Sequence, residues 1–149
     1  MRRIGICATA LMVAWLGAVG IAQMRVTTAE EYTKAMRMTS TAFGAVRTAL
    51  SAANFPDAKE KLVTARLGYT ALEGFWVDKE RDDAIEIVRT ALAQIDEIDA
   101  LLDVERPSRS DTLSKAKMVQ GSCGACHELY REGEFETGFR FKAGVLEGF

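Results

Sequence analysis

Residues 110–131 read SDTLSKAKMVQGSCGACHELYR, and they decide the fold. Leu113, Ala116, Val119, Cys123, Cys126 and Tyr130 recur at steps of three and four. That spacing lines side chains along one face of an α-helix. The stretch therefore predicts an amphipathic helix from Ser110 or Asp111 to about Arg131, with one face to bury. Upstream, Val104–Ser110 with Pro107 is a break, and before it Ala84, Val88, Ala91, Ile95, Ile98 and Leu102 predict a helix over 80–102. Leu62, Ala65, Tyr69, Leu72 and Trp76 predict another over 57–77, preceded by a break at Asn54, Phe55 and Pro56. Tyr32, Met36, Phe43, Val46 and Leu50 share a face of a first helix over 28–53, which Thr28 and Glu31 open as a capping box. Each segment is about 20–25 residues, or about 30–37 Å of helix. Four such helices with short breaks predict an all-α, antiparallel four-helix bundle. Other helical packings use the same elements, but near-equal lengths and short connections favour the bundle.

Composition agrees with this class. Apolar residues make up 48% of the 149 residues and charged residues 27%, enough to bury a core and keep a polar surface. Helix-favouring residues are abundant and strand-type residues do not alternate. A net charge of −2 offers no basic surplus for phosphates and excludes a nucleic-acid binder.

Residues 1–22 have the form of a targeting segment. Arg2 and Arg3 precede nineteen uncharged residues, Ile4 to Ala22, with small residues near Gly20 and Ala22. Cleavage after Ala22 makes it a signal peptide, while an uncleaved stretch of that length makes it a membrane anchor. In either case the domain is exported, as to a periplasm. Removing the segment takes away Cys7 and two of the 19 basic residues, leaving 17 against 21 acidic, a net of −4. The remaining chain divides into a four-helix domain, 23–131, and an aromatic-rich tail, 132–149. Phe135, Phe139, Phe141, Val145, Leu146 and Phe149 in that tail need cover, so it is expected to pack back on the domain.

Residues 123–127 are Cys-Gly-Ala-Cys-His and contain the only histidine of the chain. This is the spacing of c-type haem attachment. Two thiols become thioethers on the two vinyl groups of haem, and the adjacent imidazole is carried beneath the ring to bind iron. A zinc site lacks a fourth ligand. A redox C-x-x-C belongs in a thioredoxin-like βαβ setting, absent from a helical chain. A disulfide across one helical turn is geometrically awkward. One covalent haem c, held by Cys123 and Cys126 with His127 as proximal iron ligand, is the expectation.

A four-helix chain with C-x-x-C-H-x-x-Tyr-Arg on its last helix, Cys123 to Arg131, resembles the class II cytochromes c, the cytochrome c′ family. The resemblance covers about residues 28–131 and implies a haem inside the bundle near the end of the fourth helix. What lies on the other haem face divides that family. A methionine from the first helix gives a low-spin electron carrier; an apolar residue leaves five-coordinate iron that binds NO or CO. The first helix here carries Met36 and Met38. Met36 precedes Phe43 by seven residues and shares the buried face, whereas Met38 is rotated about 200° from it. The segment Tyr32–Arg37 also resembles that around the ligand methionine of low-spin relatives. Met36 is therefore the expected distal ligand, Met38 the lesser candidate, and Met118 is badly placed for it. The expected function is a monohaem electron carrier outside the cytoplasm that docks transiently with redox partner proteins; the alternative is a gas-binding cytochrome c′. No nucleophile–base pair supports an enzyme. Many members of the class are homodimers, which makes a second copy an expected partner, and a membrane is expected only with an uncleaved anchor. Arg131 or Lys117 could neutralise haem propionates, and Trp76 and Tyr69 could pack on the ring or serve as plain core. The long tail departs from the family pattern: it could cap the haem edge, form a partner surface or extend the core, and so bears on how far the haem is exposed.

Overall fold

Three of the four helices begin on a side chain that satisfies a free N–H group of the first turn. In the computed structural model, which describes residues 25–134 and 138–146, they follow one another with almost no intervening chain. Helix α1 (Ala29–Ser51) opens on the Thr28/Glu31 capping box. Helix α2 (Phe55–Asp78) is capped by Asn54, whose side chain accepts from the Asp57 N–H. Helix α3 (Asp82–Leu102) has no side-chain cap. Helix α4 (Arg109–Tyr130) is capped by Ser108. Helix α2 starts two residues earlier than its apolar spacing indicates, because Pro56 sits in the first turn, where a missing N–H costs nothing.

The helices form an all-α four-helix bundle. Connections of three to six residues make sequential neighbours antiparallel, and α1 packs on α2, α2 on α3 and α3 on α4. The first two connections close as Schellman turns. Ala53 N–H donates to Leu50 and Asn54 N–H to Ala49; Glu80 N–H donates to Val77 and Arg81 N–H to Trp76. Both turns place a non-glycine residue at positive φ, Ala53 at 54° and Glu80 at 49°.

The core is filled by Val46 and Leu50 from α1, Leu72, Phe75 and Trp76 from α2, Ile95 and Ile98 from α3, and Val119 from α4. Every residue assigned from spacing to the buried faces of α2 and α3 is buried. At one level α1 and α2 pass so closely that a Cβ on Gly68 would lie 2.2 Å from Thr39 Oγ1. That buried hydroxyl donates to the Ala35 carbonyl, 2.8 Å away, so it is not left unpaired in the seam. On the surface, Arg66–Asp96 and Arg89–Glu73 ion pairs bridge α2 and α3. Exposed pairs of this kind contribute little stability.

Of the four seams around the bundle, α1 against α4 is the least closed. Beyond α4 the chain turns back in a short antiparallel hairpin, β1 (Arg131–Glu132) on β2 (Arg140–Phe141). Phe141 enters a ring cluster with Tyr32, Phe75 and Trp76, at centroid distances of 5.1, 6.0 and 5.7 Å. Val145 is buried and its carbonyl accepts from Arg81, 3.2 Å away. The described tail thus lies against the bundle. Residues 1–24, on which the expected targeting segment falls, lie outside the described residues. No helix among the described residues is long and apolar enough to cross a membrane.

Candidate functional site

Helix α4 is well buried in its first half and half-open in its second. Ala116 and Val119 are buried, whereas Cys123, Cys126 and His127, on the same side, are only half-buried. The bundle therefore opens where α4 carries the Cys-Gly-Ala-Cys-His sequence. Two hollows occupy the opening. The inner one, about 30 Å³, is bounded by Tyr69, Leu72, Val88 and Cys123 among others. The outer one is a cleft of about 680 Å³ between α1, the end of α4 and the hairpin. Tyr32, Met36, Cys126 and His127 line both.

The two candidate methionines of α1 part company here. Met36 is half-buried and faces both hollows, opposite α4. Met38 is 51% exposed and lines neither; Met118 is likewise exposed. The helical phase explains the difference. Met36 lies above the buried Phe43 and Leu50 on the core face, whereas the face carrying Met38 meets the core through the smaller Ala42 and Ala49. The structure thus brings Met36, Cys123, Cys126 and His127 around one inner hollow.

Two tyrosines lie against the thiols. Tyr69 Oη and Cys123 Sγ are 3.2 Å apart, within hydrogen-bonding distance. Tyr32 Oη accepts from Trp76 Nε1 at 3.1 Å. Burial, then the neighbouring Cys123, pushes the Cys126 thiol up to about 11, so it is neutral at pH 7. Burial, and then the charge of Arg131, lowers the pKa of His127, which favours the neutral imidazole that a metal takes as ligand. Trp76 is fully buried and lines neither hollow, so it serves the core; Tyr69 lines the inner one. Lys117 lies outside the cleft, whereas Arg131 stands in its wall with Arg37 and Arg140.

Sequence reading named Tyr32, Phe139 and Phe141 but assigned no site role to them individually, nor to Arg37 or Arg140. Tyr32 was legible only as a core residue, since its bond to Trp76 joins positions 44 residues apart. The hairpin residues belong to a tail whose course no periodicity indicates.

The residues present suit a haem. The cleft lies within the roughly 300–1,000 Å³ typical of cofactor pockets. It offers a thioether and an imidazole from facing helices, apolar and aromatic walls, and arginines suited to carboxylates. Among the described residues no group of three or more His, Cys, Asp or Glu is placed to hold a bare metal ion. No protein-family model, curated protein or solved structure matches the chain.

Proposed function

We propose that the protein is a monohaem c-type cytochrome that carries electrons outside the cytoplasm, built like the methionine-ligated members of the cytochrome c′ family. The observation that carries this proposal is the meeting of Met36, from α1, with Cys123, Cys126 and His127, from α4, around one hollow in the least closed seam of the bundle. Cys123 and Cys126 would hold the haem through thioethers, and His127 and Met36 would be the residues that ligate its iron. When bound, the haem supplies a one-electron iron couple, whose potential methionine ligation and burial raise.

The chain's own residues set the conditions for that chemistry. The neutral imidazole of His127 presents a lone pair without first losing a proton. Tyr32, Leu72 and Val88 give the inner hollow largely apolar walls. Arg37, Arg131 and Arg140 place positive charge at the cleft, where carboxylates would sit.

Replacement of Met36 tests the assignment. Met36→Ala should turn a low-spin spectrum into a broad high-spin one and make the reduced protein bind CO rapidly. A wild-type protein already high-spin and quick to bind CO would instead favour a five-coordinate gas-binding cytochrome. No change on replacing Met36 would place the distal ligand elsewhere.

A further inference from the structure

The tail after α4 is more than an appendage. Its hairpin is fastened at three points: Lys142 N–H donates to the Tyr130 carbonyl at 2.9 Å, Arg81 donates to the Val145 carbonyl, and Phe141 is wedged against Tyr32, Phe75 and Trp76. Four consecutive residues so held, Gly138 to Phe141, line the large cleft together with Met36 and His127. Within the hairpin the Arg131 guanidinium lies 4.0 Å from the centroid of the Phe139 ring, and Arg140 pairs with Glu132. The cleft therefore has an aromatic wall that none of the four helices supplies. Phe139 remains 43% exposed, a large apolar group left at the cleft without full cover.

We propose that this C-terminal hairpin is part of the cofactor site, with Phe139 and Phe141 packing on the haem and shielding its edge from water. The inference rests on the haem reading above. An aromatic wall lowers the local dielectric and disfavours the more highly charged oxidised iron, so the hairpin raises the reduction potential. It also hinders external ligands that compete with the Met36 sulfur.

Glycine 133 allows the hairpin to be disturbed without cutting into the core. Its φ is 90°, and a Cβ there would lie 2.3 Å from the Gly138 carbonyl oxygen. Gly133→Ala should therefore spread the two strands, and Phe139→Ala should remove only the exposed ring. The full-length holoprotein of each variant is compared with wild type by helical circular dichroism, redox titration and imidazole binding to the oxidised form. With unchanged helicity, both variants should have a lower potential and bind imidazole about tenfold more tightly, the effect of losing one aromatic contact. A potential and imidazole affinity equal to wild type in both would overturn the proposal while leaving the haem assignment intact. A wild-type protein that carries no covalent haem would overturn both.

Discussion

Gly68 shows how much can depend on a missing methyl group. Alanine normally stabilises a helix interior by about 1 kcal/mol over glycine. Here the added Cβ would collide with Thr39, a buried side chain whose hydroxyl is committed to the Ala35 carbonyl. Gly68→Ala should therefore destabilise the fold by about 1–3 kcal/mol in denaturant titration, the usual cost of overpacking. A stabilised variant would mean that α1 and α2 separate freely. At the methionines the same scale separates the lining of the hollows from the surface. Met38 is exposed and faces neither hollow, so Met38→Ala should leave both stability, within about 0.5 kcal/mol, and the haem spectrum unchanged. The spacing of Met36, Phe43 and Leu50 made the first methionine legible as a candidate. The Gly68–Thr39 contact was not legible, because helical periodicity says which face is buried but not how near two backbones come.

At the scale of elements, apolar spacing and capping residues carried most of the information. The Thr28/Glu31 box is formed as the sequence indicates, and Thr28→Ala should cost about 1 kcal/mol in thermal or chemical unfolding. The start of α2 was less legible, since proline signals both a break and a permitted first turn. The Schellman turns were also hidden, because neither carries the glycine that usually marks one. Ala53 and Glu80 hold left-handed backbone that glycine adopts without steric cost. Ala53→Gly and Glu80→Gly should each raise the unfolding free energy by about 1 kcal/mol despite removing a side chain. A loss of stability in both would contradict the assigned turn geometry. The hairpin lay furthest from reach, because strands of two residues have no periodicity to read.

Across the whole molecule, the start of α3, the end of α4 and the tail meet at Arg81. Its guanidinium pairs with Asp83, lies 5.2 Å from the centroid of the Tyr130 ring and holds the Val145 carbonyl. The Tyr130 hydroxyl is buried facing Asp83, without a well-formed hydrogen bond. That hydroxyl, and then Arg81, hold the Asp83 carboxyl down to about 2, below its usual 3.8. A lowered carboxyl pKa stabilises the fold above the unfolded value and loses that contribution as pH falls through the folded one. Thermal unfolding should therefore become easier between about pH 4 and 2, and Asp83→Asn should flatten this acid limb. An identical acid limb in the variant would assign the loss to other carboxylates.

The bundle itself was legible from four apolar stripes, and the Cys-x-x-Cys-His spacing carries the haem proposal. The cleft was not, because it arises from the incomplete closure of α1 on α4 and from a tail that folds back beside it. The central claim is that this cleft holds a covalent haem between His127 and Met36. The visible absorption spectrum of the protein, produced in a cell that attaches haem c, tests it most directly. A low-spin spectrum is expected, with sharp α and β bands on reduction and the weak far-red band of methionine-bound iron on oxidation. A chain without a haem spectrum, or one with the broad bands of high-spin iron, would contradict it.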